Sequence, residues 1–208
     1  MRYQPEHKAA IRQRMLDMAG LRFRAEGLDS VGIANLMADL GLTHGGFYCH
    51  FRDKESLIAE ACRQAMQEQA EQWRQLAATA EPGYRCQAIA EAYLSESHRD
   101  FPDTGCVAAA LAGELSRHSP QARHAFTDGL GRWLDLLESC AEADAGNGAS
   151  QPPPAAQLAL MVGAMVLSRA VNDDALSHRL LREAMAWLEE EKPAGARLSE
   201  PSRPSASG

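Results

Sequence analysis

The residues with the most chemistry per position are clustered between Thr43 and Lys54. Thr43, His44, Tyr48, His50 and Lys54 each offer a polar or cationic group, and Gly45 and Gly46 stand among them. Two adjacent glycines are poor helix formers, each costing roughly 1 kcal/mol relative to alanine. Stability alone finds no use for them, but a surface that must approach another backbone closely does. Thr43 and His44 open a short helix, where free N–H groups and the positive dipole end favour phosphate. Tyr48, His50 and Lys54 can hold a sugar–phosphate backbone in register, and Thr43 and His44 are placed to read base edges. Thr43, His44, Gly45, Gly46, Tyr48, His50 and Lys54 are therefore the candidate DNA-binding residues.

A second candidate chemistry lies in five cysteines, Cys49, Cys62, Cys86, Cys106 and Cys140. They are odd in number and lack CxxC spacing, so neither a disulfide framework nor a zinc site is expected, and a reducing cytoplasm fits best. Cys106 follows a loop containing His98, Asp100, Pro102 and Gly105, at a helix start where a thiolate could be stabilised. It is equally suited to be a small buried residue at the start of an apolar helix. A hydrolase pairing Cys106 with His118 or His124 would lack a third orienting group, and no phosphate-binding glycine loop or metal signature is present. Neither enzymatic activity nor a cofactor is expected.

The elements that position these residues are helical throughout. The chain has 208 residues, 45% hydrophobic and 24% charged, with no apolar run long enough for a membrane span, and secretion is not expected because no basic start leads into an apolar stretch and cleavage site. Ile11, Met15, Ala19 and Phe23 recur every four residues and Gly27 closes that helix. Ser30 can cap a helix whose apolar face is Ile33, Leu36, Met37 and Leu40; Gly41 breaks it. Thr43 caps a third helix to about His50, and Asp53 caps a fourth that continues to about Ala80. Further helices are predicted over 84–97, 106–117, 119–144, 155–171 and 174–191. The Pro/Ser/Gly-rich tail is expected to be disordered. The predicted fold class is all-α: a helix-turn-helix head over 1–53, a helical body over 54–191, and a tail over 192–208.

Charge divides along the same boundary. The net charge is −7, yet residues 1–54 hold eight Lys/Arg against six Asp/Glu, while the remainder has thirteen bases and twenty-two acids. An anion-binding head on an acidic body is indicated, although an excess of two charges is small.

The ordered series Gly27-Leu28-Asp29-Ser30-Val31, Ile33-Ala34, Gly41-Leu42-Thr43-His44-Gly45-Gly46-Phe47-Tyr48 and His50-Phe51-Arg52-Asp53-Lys54-Glu55-Ser56-Leu57 closely resembles the signature of TetR-family transcriptional regulators. The resemblance implies a homodimer of all-α subunits that represses a promoter by binding a palindromic double-stranded operator until a small molecule releases it. It places Thr43, His44, Tyr48, His50 and Lys54 at positions that face DNA. Gly46 departs from a position where a hydroxylated residue is common, and Cys49 stands near DNA. Gly105-Cys106 followed by Glu114-Leu115 is similar to the pattern of one subgroup, some of whose members respond to electrophiles or oxidants through a cysteine, which keeps a thiol-sensing reading of Cys106 open.

Two further surfaces are expected. Residues 155–171 are apolar nearly all round, and the next helix has an i, i+4 apolar stripe. Leu158, Val162, Met165, Val166, Leu180, Met185 and Leu188 are thus candidates for a four-helix dimer interface, against the alternative of an intramolecular core. Trp73, Tyr93, Phe101, Cys106, Phe126, Trp133, Met161 and Met165 are candidates for lining an effector cavity, with His98, Asp100 and His118 adding polarity. Each of these is also a plain core candidate, and they form no recognisable metal site.

Overall fold

The computed structural model describes residues 5–145 and 152–189, and the expected tail lies outside them. The described residues form ten α-helices and no strand: α1 Pro5–Glu26, α2 Ile33–Asp39, α3 His44–Phe47, α4 Lys54–Thr79, α5 Arg85–Tyr93, α6 Glu96–Asp100, α7 Val107–Leu115, α8 Pro120–Ala145, α9 Pro154–Ala170 and α10 Asp174–Glu189.

The head is α1 to α3. Met15, Ala19 and Phe23 of α1 are buried, as their spacing requires. Gly27 ends the helix at φ +87°, and Gly41 makes the turn after α2 at φ +69°, a left-handed conformation that side-chain-bearing residues rarely adopt. The turn is closed by Gly41 N–H to Ala38 O at 2.9 Å and Leu42 N–H to Met37 O at 2.8 Å.

The expected caps are realised unevenly. Asp53 forms a reciprocal capping box with Ser56: Ser56 N–H donates to Asp53 Oδ1 at 2.8 Å and Asp53 N–H to Ser56 Oγ at 3.2 Å. Ser30 lies in a turn, so α2 starts instead after Gly32, and neither Gly32 nor Thr43 supplies a side-chain cap bond. Helix α3 is one turn, shorter than the expected run to His50. Cys49 N–H to Gly46 O at 3.2 Å and His50 N–H to Phe47 O at 2.9 Å tighten the chain into a turn there.

The body is organised on α4, which packs most extensively on α8. Gly129 of α8 permits this, because a Cβ there would stand 2.7 Å from Met66 Cβ. Trp133 Nε1–H donates to Met66 O at 2.9 Å, and the Trp73 and Trp133 rings lie 5.0 Å apart between centroids. Buried Asp144 receives Cys86 N–H at 3.0 Å and Arg85 Nη1–H at 3.1 Å, satisfying the start of α5.

One expected helix is two. The pattern predicts 84–97 as continuous, followed by a loop holding His98 and Asp100. Instead α5 stops at Tyr93, and Ser95 Oγ accepts His98 N–H at 3.2 Å to cap the short α6. A serine that bonds backbone N–H groups locally competes with helix continuation, and here it wins.

Candidate nucleic-acid interface and effector cavity

Phe47 anchors the second helix of the helix-turn-helix. It is fully buried and stacks on Phe51 at 5.6 Å between centroids, with the Arg12 guanidinium 4.7 Å above the Phe51 ring. That anchorage turns the rest of α3 outward. Thr43, His44 and Gly45 are exposed, and Tyr48 is 55% exposed with its ring edge-on to both His44 and Phe47. A Cβ at Gly45 would meet nothing within 4 Å, and one at Gly46 only ordinary contacts with Thr43 and Met37. Nothing inside the subunit demands glycine at position 45.

His50 and Lys54 sit differently. His50 is half-buried with Nδ1 shielded and unpaired, and burial, with Lys8 and Arg12 nearby, holds its imidazole below the ordinary pKa. Lys54 Nζ donates to Asp29 O at 3.3 Å, which ties the first turn of α4 to the loop after α1. Lys8 on α1 belongs to the same neighbourhood as His50 and is absent from the motif-based candidates. Its signal would have been a cation on α1, legible only once the fold brings α1 beside the residues after α3. Of the other head cations, Arg12 pairs with Glu60, Arg22 with Glu26 and Asp39, and Arg52 with Asp53.

The head is fastened to the body by polar contacts. Glu114 Oε2 on α7 accepts Leu28 N–H at 2.7 Å, and a Cβ at Gly27 would come within 3.0 Å of Glu114 Oε1. Glu55 in the first turn of α4 meets His118 Nδ1 at 2.9 Å and accepts Ser119 N–H at 3.1 Å, while His118 Nε2 stands 3.7 Å from Asp29. His118 thus has acidic partners at the head–body junction, and His124 has Asp128 at 3.4 Å.

A cavity of about 330 Å³ opens in the body between α4, α5 and the α6–α7 region. Trp73, Tyr93 and Phe101 line it, and Phe101 is 62% exposed at that site. Gln69, Gln72, Ser95, Ser97 and Thr104 add hydrogen-bonding groups. These polar residues escape sequence reasoning because they look like any solvated helix or loop face. Cys106, Trp133, Met161 and Met165 are fully buried and Phe126 is partly buried against the core; none of the five lines this cavity.

Cys106 is fully buried, and burial pushes its thiol pKa up. His98 is committed elsewhere: Nδ1–H faces Tyr93 O at 2.6 Å and Nε2 accepts Cys106 N–H at 2.9 Å, so it bonds the backbone of Cys106. Burial pushes Cys62 and Cys86 up to about 12. Cys49 alone among the five is exposed. A thiol reagent added to the native protein is therefore expected to modify one cysteine rapidly, identified as Cys49 by mass spectrometry, with the other four reacting only on unfolding. Rapid labelling of Cys106 would contradict this.

The His98 geometry sets a pH dependence. Burial, with the Arg169 charge, holds its folded pKa below the ordinary 6.5, although the bond to Tyr93 O opposes that. The unfolded chain then binds the proton more readily, so the stability this site contributes is complete above about pH 6.5 and falls as pH drops toward the folded value. His50 adds in the same direction. Urea midpoints at pH 7 and pH 5 should differ less in His98→Gln than in the unaltered protein; an equal difference would remove His98 from the account.

On the dimer candidates, Leu158 and Met165 are buried within the subunit, while Val162, Leu180, Met185 and Leu188 are partly buried. Val166 and the adjacent Leu167 are 41% and 53% exposed. No helix among the described residues is long and apolar enough to cross a membrane, and no cluster of three His, Cys, Asp or Glu suited to a metal is found among them.

Comparison with known proteins agrees with the geometry. Residues 20–61 match the family of bacterial regulatory proteins of the tetR type, and residues 82–184 match the tetracyclin repressor-like C-terminal domain. The chain belongs to the TetR family and is a DNA-binding transcriptional regulator. Among solved structures it is similar to the reduced form of Escherichia coli NemR, at 22% identity and TM-score 0.73 over 86% of this chain and 95% of that one. A TetR-family regulator from Agrobacterium tumefaciens aligns at 20% identity and TM-score 0.74, over 89% and 99%. A putative transcriptional regulator from Saccharomonospora viridis, solved in complex with choline, aligns at 17% and 0.72, over 87% and 96%. At these identities the likeness is one of fold. No curated protein matches the sequence.

Proposed function

We propose that this chain is a homodimeric repressor that holds a palindromic operator with two copies of the α3 face and is released by a small molecule bound in the body. The observation carrying this reading is the division across α3 and its flanking residues: Phe47 and Phe51 locked inside, with Thr43, His44 and Tyr48 outside around a glycine that no intramolecular contact requires. A one-turn helix held so rigidly is suited to enter a major groove, and paired subunits would address half-sites about one helical turn apart. Tyr48, His50 and Lys54 serve the phosphates, and Thr43 and His44 the bases. The cavity beside Trp73 and Tyr93 takes the effector. Its lining holds no charged side chain, His98 being kept neutral by burial, so a neutral ligand with an aromatic or apolar body and hydrogen-bonding edges fits it best. The ligand acts only by binding the released conformer more tightly than the DNA-bound one.

Site selection from random duplexes should yield a palindrome with salt-sensitive affinity. Gly45→Ala separates interface from fold. Relative to glycine, alanine should raise stability by up to about 1 kcal/mol, while the added methyl, crowded against DNA, weakens the selected operator by about tenfold or more. Unchanged operator affinity together with the stability gain would remove Gly45 from the interface, and failure to select any duplex would end the reading.

A further inference from the structure

A second cavity, a cleft of about 680 Å³, opens where the end of α1 meets the α6–α7 loop, α9 and the α9–α10 junction. Three guanidinium groups line it: Arg24 from the head helix α1, Arg99 from α6 and Arg169 from the last turn of α9. Arg99 is already engaged. Its Nε and Nη2 donate to Asp100 at 2.7 and 3.4 Å, its Nη1 donates to Ser177 Oγ at 3.2 Å, and Asp174 stands 4.0 Å away.

Arg24 and Arg169 have no ion-pair partner among the described residues. Arg24 Nε donates to the main-chain oxygen of Asp103 at 2.6 Å. Arg169 Nε donates to Arg99 O at 3.1 Å and its Nη2 to His98 O, while its Nη1 is shielded from solvent with no acceptor. A carbonyl oxygen carries only a partial charge, so two whole positive charges stand partly desolvated in one wall with no carboxylate bonded to either; Asp100 and Asp174, which also line the cleft, are paired with Arg99. Burial accordingly holds both groups below their ordinary proton affinity, whereas carboxylate partners raise that of Arg22 and Arg99. The carboxylates of Asp103 and Glu68 act on Arg24 only at longer range. The backbone leaves room for Arg169: a Cβ at Gly105 would lie 2.8 Å from its Nη2.

We propose that this cleft binds a small organic oxyanion, a carboxylate or a phosphate monoester, between Arg24 and Arg169. With the Nε groups of both arginines and Nη2 of Arg169 given to main-chain oxygens, the donors left for the anion are the terminal Nη groups of Arg24 and, once its cover is displaced, Nη1 of Arg169; partial desolvation strengthens the attraction. Because Arg24 belongs to the head and Arg169 to the body, a bound anion bridges them, and anion affinity and operator affinity change each other by the same factor. That coupling, unlike the binding itself, rests on the repressor reading above. The site is separate from the charge-free cavity beside Trp73.

Titration of the full-length protein with inorganic phosphate and, separately, with succinate, at ionic strength held constant with sodium chloride, tests it by calorimetry and thermal unfolding. Expected is a saturable rise in the unfolding midpoint of about 3–5 °C at tenfold excess over the dissociation constant, and whichever probe saturates at lower concentration identifies the headgroup. Arg24→Gln and Arg169→Gln should each weaken binding at least about tenfold, whereas Arg74→Gln, on the exposed side of α4, should not change it. Should Arg169→Gln fail to fold, Arg24→Gln and Arg169→Lys carry the test. No saturation with either probe, a response linear in salt and equal in all variants, or full binding in Arg24→Gln overturns the proposal. Operator binding on the same samples separates the two readings: operator bound without anion sinks only the anion site, and anion bound without any duplex sinks only the regulatory role.

Discussion

Phe47→Ala is expected to destabilise the protein by about 3–5 kcal/mol, the usual cost of emptying a fully buried phenylalanine site. The ring is completely shielded and stacked on Phe51, and Tyr48 packs edge-on against it. Its loss removes the fixed point about which α3 presents His44 and Tyr48. Operator affinity should fall by more than about a hundredfold, even where circular dichroism shows the body helices intact, because His44 and Tyr48 lose the packing that positions them and each 1.4 kcal/mol of DNA contact forfeited is a factor of ten in affinity. Denaturant titration with operator binding on one preparation checks both. A variant that lost stability yet bound with full affinity would show that α3 does not hold the DNA.

The second large effect is expected at Val166 and Leu167. Replacing both by glutamate should yield monomers by light scattering and weaken operator binding by roughly a hundredfold or more, since each head loses the effective concentration its twin provides. Both side chains are substantially exposed in the subunit, so the fold itself should tolerate the change. Met165 is unsuitable for this purpose: it is fully buried, and a glutamate there would collapse the body whether or not a dimer exists. A stable dimer of the double variant would move the interface elsewhere.

The helices and turns of the head were legible because their signals are local, although the caps expected at Ser30 and Thr43 and the run of α3 to His50 are not realised. Gly27 and Gly41 mark turns that need positive φ, and Asp53 three residues before Ser56 announces the start of α4. The body was legible as helices but less so as a site. Trp73, Tyr93 and Phe101 line the cavity while Trp133, Met161 and Met165 fill the core. Apolar walls and apolar cores call for the same residue types, so periodicity cannot tell them apart. The break at Ser95 was missed because a serine inside an apolar pattern is common, and only its bond to His98 N–H reveals the interruption. Glu114 attracts notice in the sequence only as part of a subgroup pattern. Its carboxylate turns out to receive Leu28 N–H across the junction, a long-range contact that no spacing discloses.

Helix α4 runs without interruption from the capping box at Asp53 past the cavity-lining Trp73, and Trp133 pins it to α8 through Met66. Trp73 lies nineteen helical steps beyond Lys54, an arm of roughly 28 Å at 1.5 Å per residue. A tilt of about 5° hinged near the indole would sweep the lysine through an arc of roughly 2.5 Å, close to a full hydrogen-bond length. An occupant that shifts the rod only slightly at its pivot would thus be magnified into loss of grip at the far tip, with no helix unwinding on the way.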